Sequence, residues 1–360
     1  MDRIKYRLML IMGYLGAVIG AGFASGQEIV QFFVTYGSYG IKGALMATIL
    51  FAACGGLLLY LAHRQRVANY QDMLGYLLGH KMGRVVDFLL AIFLFLGIST
   101  MLSASGAVFY EHLYLSKNLG VFLAYGLIVI LLVAGKKGLI LSYNILVPVK
   151  IVLLLIISGY AAFFVEGSHL EAYTVSLGVE EAWNWMLASI LYVAYNFALA
   201  MVVLTEYQTI TNRRNGIVGA ALGGLILGVL VIMNYLSLSK FLPTVLHYEV
   251  PMLYVAGHIS LTAKHIYTLV LWLGILTTAI ANAYGFAQRF SRFTGLSYGV
   301  CLVLCMTMAL PLSMQSFSSL VTKIYPLFGV LGVSIIAALL YRAVKEMGGE
   351  LYYRGRSRNK

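Results

Sequence analysis

The chain has 360 residues, of which 61% are apolar and 11% charged, with a formal net charge of +12. A soluble domain carries roughly 25% charged residues, so the composition excludes an ordinary globular protein and marks one solvated by lipid. The positive charge sits in short segments between apolar runs, which makes it a membrane topology signal rather than a nucleic-acid footprint.

Runs of about 20 apolar residues, enough to cross a ~30 Å hydrocarbon core, recur along nearly the whole length. Hydropathy predicts ten spans, starting near Leu8, Ile41, Val85, Leu119, Gly138, Trp183, Gly216, Lys264, Gly295 and Ser318. The first continues past Tyr36 without the short apolar core and cleavage site of a signal peptide, so it reads as a retained span. With the amino terminus inside, 19 of the 25 Lys and Arg residues fall on the cytoplasmic side. Lys42, Lys117, Lys240, Lys264 and Lys323 fall outside, and Lys150 lies within a span. This asymmetry places both termini in the cytoplasm of a bacterial inner-membrane protein, with an acidic external loop from Glu166 to Glu181.

Two connections exceed a simple turn. Residues 68–82 place Tyr70, Met73, Leu74, Leu77 and Leu78 at helical spacing and predict an interfacial amphipathic helix. Residues 241–262, with Pro243 and Pro251, fit either an external lid helix or a surface loop with no gating role.

The first span carries Gly16, Gly20, Gly22 and Gly26, followed by Gln27 and Glu28 at membrane depth. Glycines alone fit close helix packing as well as a broken helix. A carboxylate at that depth costs a few kcal/mol and calls for a partner, a proton or water, which favours a cavity beside Glu28. With a break between Gly20 and Gly26, free amides at the start of the outer half-helix would favour an anionic ligand group. Glu28 would then face a ligand ammonium or a proton. Lys150, between Pro148 and the run Ile151 to Ile157, is the second buried charge. It fits three roles: neutralising Glu28, filling an ion site as a fixed ammonium, or giving up its proton.

The sixth span contains Tyr192, Tyr195, Asn196 and Phe197 without glycine or proline, and by itself reads as a packed helix. In the eighth, Thr277 and Thr278 offer hard oxygens to a cation, although threonines in membrane helices more often bond a carbonyl of the preceding turn. Cys54, Cys301 and Cys305 lie in apolar runs without zinc-site spacing and read as buried thiols. No nucleophile–base set or phosphate loop is present, and the seven histidines fall at span ends or in loops, which argues against an enzyme.

Together these features resemble the LeuT-type fold of the amino acid–polyamine–organocation transporters and the neurotransmitter:sodium symporters. The stretch Gly16 to Glu28 resembles the opening of the YkvI-like bacterial membrane proteins within that wider group. The resemblance implies an all-α protein of ten helices in two inverted five-helix repeats. Residues 1–165 form the first repeat, 166–182 an external loop, 183–345 the second repeat and 346–360 a basic cytoplasmic tail. Helices one and six are expected to be broken.

The resemblance also implies that amides at Gly20, Ala21 and Gly22 bind a substrate carboxylate, with Ser25, Gln27 and Glu28 beside them. Tyr195, Asn196 and Phe197 would line the pocket, although this stretch lacks the families' glycine. Thr277 and Thr278, with carbonyls of Gly16, Ile19 and Gly274, resemble a sodium site. Lys150 instead resembles the fifth-helix lysine of proton-coupled or sodium-independent carriers. An ammonium and a sodium ion cannot share one small site, and the sequence supports either. The implied function is sodium- or proton-coupled symport of an amino acid or similar small zwitterion by alternating access. No cofactor is implied beyond a bound sodium ion, and no partner beyond a small-molecule substrate and lipid, with nucleic acid excluded. A ligand-sensing subunit like the membrane component of spore germinant receptors fits the same dimensions.

Overall fold

The computed structural model describes residues 2–67, 69–133, 136–166 and 184–358. The predicted acidic loop lies outside them from residue 167 onward. Among the described residues there are fourteen α-helices and no strand: α1 Asp2–Val18, α2 Ala21–Ser25, α3 Gln27–Phe32, α4 Gly40–Gln65, α5 Tyr70–Leu78, α6 His80–His112, α7 Lys117–Val133, α8 Lys136–Phe164, α9 Asn184–Glu206, α10 Arg213–Ser239, α11 Pro251–Ile259, α12 Leu261–Thr294, α13 Tyr298–Ser313 and α14 Phe317–Arg358. Six of them, α4, α6, α9, α10, α12 and α14, are long and apolar enough to cross a membrane. Shorter apolar helical stretches lie in α1, α7, α8 and α13.

Polar caps set several boundaries. Asn69 accepts the Asp72 amide at the start of α5, Asn212 accepts the Asn215 amide at the start of α10, and Ser260 accepts the Ala263 amide at the start of α12. The predicted interfacial helix forms as α5, burying Met73, Leu74 and Leu77.

Side-chain bonds gather the two chain ends at one face. Arg7 donates to Asn215 (3.1 Å), His63 bonds Thr211 (3.2 Å), and Arg64 pairs with Glu346 (2.6 Å). On the opposite face the 241–262 connection forms α11, which covers the helices beneath it as a lid would, burying Pro251, Met252, Leu253, Val255 and Ala256. Both Glu111 oxygens accept lid amides, from Glu249 (2.9 Å) and Val250 (3.3 Å), and Glu249 in turn accepts the Phe317 amide.

The long helices touch backbone to backbone where glycines allow it. A Cβ on Gly224 of α10 would lie 2.5 Å from the Phe51 carbonyl carbon of α4, and one on Gly332 of α14 would lie 2.2 Å from the Ala194 oxygen of α9. The expected break in the sixth span does not occur: α9 runs unbroken from Asn184 to Glu206, and the Asn196 side-chain amide donates to the Tyr192 carbonyl one turn back (3.1 Å). That segment holds no glycine or proline to release a turn, so its intrahelical bonds persist. All three cysteines are buried and free.

Candidate functional site

The first span does break, twice. α1 ends at Val18, and Gly20 takes an extended conformation (ψ −172°) before the five-residue α2. Gly26 then adopts the left-handed conformation (φ 84°), where a side chain would be strained and would also meet Met252 at 2.8 Å, and α3 follows. Ser25 stabilises the second kink by donating to the Gly22 carbonyl (2.9 Å) and accepting the Gln27 amide (3.3 Å). Backbone released at membrane depth needs a cavity or a protein partner, and both are present.

A cavity of about 550 Å³ runs along these breaks. Its inner end is lined by Gly20, Gly22 and Glu28 of the first span, Tyr195 and Asn196 of α9 and Thr278 of α12, and it extends past Gln288 and Arg292 to the face that holds the termini. At this mouth Asp87 accepts from Arg289 (3.1 Å) and Tyr70 (2.5 Å). Toward the lid the cavity is sealed by packed rings: Tyr192 lies 4.9 Å from Phe33 and 5.8 Å from Tyr195, which in turn lies 5.0 Å from Tyr325.

Glu28 stands in the first turn of α3, 4% exposed, with Tyr195 and Asn196 facing it. Its carboxyl folds back over Gly22, where a Cβ would lie 2.2 Å from Oε1. Its Oε2 and the hydroxyls of Tyr192 and Tyr195 are buried without hydrogen-bond partners. Lys150, also 4% exposed, does not pair with Glu28. Its ammonium donates to the Ile19 carbonyl at the first break (2.5 Å), and its stem packs on Gly274, where a Cβ would lie 3.1 Å from Cδ. Thr277 and Thr278 both donate to the Gly274 carbonyl, at 2.8 and 3.0 Å. The ammonium therefore stands among the groups that the resemblance assigns to a sodium ion.

Over 329 residues the chain is 32% identical to the uncharacterized membrane protein YkvI of Bacillus subtilis (strain 168), covering 91% of this chain and 93% of that protein. The chain belongs to the YkvI family. The uncharacterized protein YyaD of the same organism is 26% identical over 339 residues, covering 94% of this chain and 96% of that one. No protein-family model matches the chain. Among solved structures, MhsT in complex with L-phenylalanine superposes with a TM-score of 0.63 at 17% identity, covering 92% of this chain and 88% of its own. The Eremococcus coleocola manganese transporter, in complex with an aromatic bis-isothiourea substituted compound, superposes with a TM-score of 0.61 at 12% identity, covering 93% and 78%. These likenesses show that this YkvI-family member has the LeuT-type transporter fold.

Of the residues singled out from sequence, Gly16, Gly20, Ala21, Gly22, Glu28, Tyr195, Asn196 and Thr278 line one cavity. Ile19, Lys150, Gly274 and Thr277 form the layer behind it. Ser25 serves the kink, while Gln27 and Phe197 are buried outside the cavity wall. Phe93, Tyr325 and Asn282 line the cavity without having been singled out. Asn282 carried a usable signal, as an amide at depth whose Nδ2 would lie 2.5 Å from a Cβ on Gly97 of α6. Phe93 sits in a uniformly apolar run and carried none.

Proposed function

We propose that the chain is a secondary transporter that moves a small organic solute by alternating access, with ten spans in two inverted repeats. The reading is carried by the doubly broken first span, which forms the wall of a cavity open at one face and sealed at the other. The solute would be an amino acid or a related small nitrogen compound, with Glu28, Tyr195 and Asn196 as its contacts. The distribution of basic residues supports cytoplasmic termini in a bacterial inner membrane, so the cavity would face inward.

Transport would be independent of sodium. Two unit charges 4 Å apart repel by about 4 kcal/mol at the effective dielectric of a protein site, and Lys150 holds the Ile19 carbonyl that such an ion would need. The donor set thus fits a fixed ammonium and not a metal ion beside it. Any coupling then falls to protons, with Lys150 as the group that can release one.

Uptake into proteoliposomes under sodium and proton gradients tests both parts. The expected result is uptake unchanged when choline replaces sodium and lost in Lys150→Ala. Strictly sodium-dependent uptake would overturn the coupling. No uptake of any amino acid or amine under either gradient would overturn the transporter reading itself.

A further inference from the structure

We propose that the cargo of the central cavity is an organic amine, a cation without a carboxylate, rather than an amino acid. The proposal rests on the transporter reading above and assigns the chemistry of that site.

The resemblance puts a substrate carboxylate beside the amides of Ala21 and Gly22, at the start of α2. In this chain the Glu28 side chain stands next to that place. The Glu28 carboxyl lies against Gly22, so close that a Cβ there would fall 2.2 Å from Oε1 and 2.9 Å from Cδ. With Glu28 ionised, a carboxylate arriving beside it would bring two like charges within a few ångströms in a site shielded from water, which is strongly disfavoured. The two arginines that line the cavity, Arg289 and Arg292, stand toward its mouth and away from the Gly22 end. Lys150 is bonded to the Ile19 carbonyl, and Arg289 is held at the cavity mouth by Asp87.

The groups without partners ask for the opposite charge. Glu28 Oε2 is buried and accepts no hydrogen bond, and the hydroxyls of Tyr192 and Tyr195 are likewise unpartnered. Buried polar atoms in folded proteins are nearly always satisfied; Tyr195 and Asn196 face the acid as possible donors, and a ligand N–H would complete the set. An ammonium supplies up to three. The surrounding wall suits it as well. Tyr195, Tyr325 and Phe93 all line the cavity and form a triangle of rings with centroids 5.0, 5.9 and 6.4 Å apart. Ring faces attract a cation electrostatically and cover an apolar or aromatic body beyond it. An amine with an aryl or alkyl tail matches both the acid and the rings.

The test uses matched pairs that differ only in the carboxylate: phenethylamine and L-phenylalanine, tyramine and L-tyrosine, cadaverine and L-lysine. Each is titrated into the full-length protein in detergent, reading the ligand-induced shift of the melting temperature, and each is assayed for uptake. The amines should bind at least about tenfold more tightly than their amino acids, and Glu28→Gln should weaken the amines by at least about tenfold. The unliganded melting temperature of Glu28→Gln reports its folding, and the wild-type pair comparison stands without that variant. Amino acids that bind as tightly as their amines would overturn this assignment and leave the transporter reading intact. So would amine binding unaffected in a folded Glu28→Gln. No binding or uptake of any member of either series would overturn both.

Discussion

Replacing Gly22 with alanine should detach Glu28 from the site, while the same change at Gly20, two residues earlier, should not. The added methyl at position 22 would lie 2.2, 2.9 and 3.0 Å from Oε1, Cδ and Cγ of Glu28. These atoms end a flexible side chain, so the clash is relieved by swinging the carboxyl out of the cavity rather than by moving α2. Overpacking of this kind costs about 1–3 kcal/mol. At about 1.4 kcal/mol per decade, that corresponds to a roughly 5- to 150-fold loss of affinity for any ligand that needs the acid in place. Position 22 lies inside a helix, where alanine is the better helix former, so the backbone adds no penalty. At Gly20 the added methyl would meet Thr278 at 3.9 Å, an ordinary contact, and φ is −82°, which alanine adopts freely. Ligand titration of both variants, with unliganded melting temperatures as the folding control, separates the two. Wild-type affinity in Gly22→Ala would refute the argument, and so would equal damage from Gly20→Ala.

Two further outcomes follow from the packing and the lid. In Gly332→Ala the new methyl would lie 2.2 Å from the Ala194 oxygen and 2.4 Å from its carbon, backbone atoms that cannot swing aside. α14 must then separate from α9, at about 3 kcal/mol, and a lower melting temperature than that of Gly22→Ala is expected. At the lid, burial holds the Glu249 carboxyl above its ordinary range, against the lowering effect of Lys117 and with Glu111 adding to the rise. An acid raised in the closed form binds its proton more tightly there than in an open, solvated one. Closure should therefore strengthen as pH falls through the carboxylate range and weaken as it rises. Hydrogen exchange across residues 251–259, corrected for intrinsic rates, should slow toward acidic pH in the wild type and lose this dependence in Glu249→Gln.

Much of the architecture was legible because it is written locally. Apolar runs mark the helices, the spacing of Met73, Leu74 and Leu77 marks the interfacial one, and the glycines before Glu28, taken with an acid at membrane depth, favour a broken first span. The continuity of α9 was legible too, since Tyr192 to Ala200 holds nothing that breaks a helix. Only family resemblance argued otherwise, and local chemistry prevailed. The partner of Lys150 could not be read, because a long side chain beside Pro148 reaches several helices and only their packing selects the Ile19 carbonyl. Phe93 and Tyr325 escaped for a related reason: in a helix that is apolar on every side, periodicity does not tell the cavity face from the lipid face.

The ammonium bonded to Ile19 is part of α8 and cannot travel with the cargo. On the proposed reading, the sodium outside the cell would have no purchase on the protein, which would leave two forces to concentrate its solute: the pH difference and the electrical potential. The potential contributes about 2.3 kcal/mol per unit charge for every 100 mV, or roughly fiftyfold accumulation of a monovalent cation, and nothing for a zwitterion without net charge. The current that accompanies uptake at equal pH would thus count the charge on the solute and the protons moving with it, with no contribution from a metal ion.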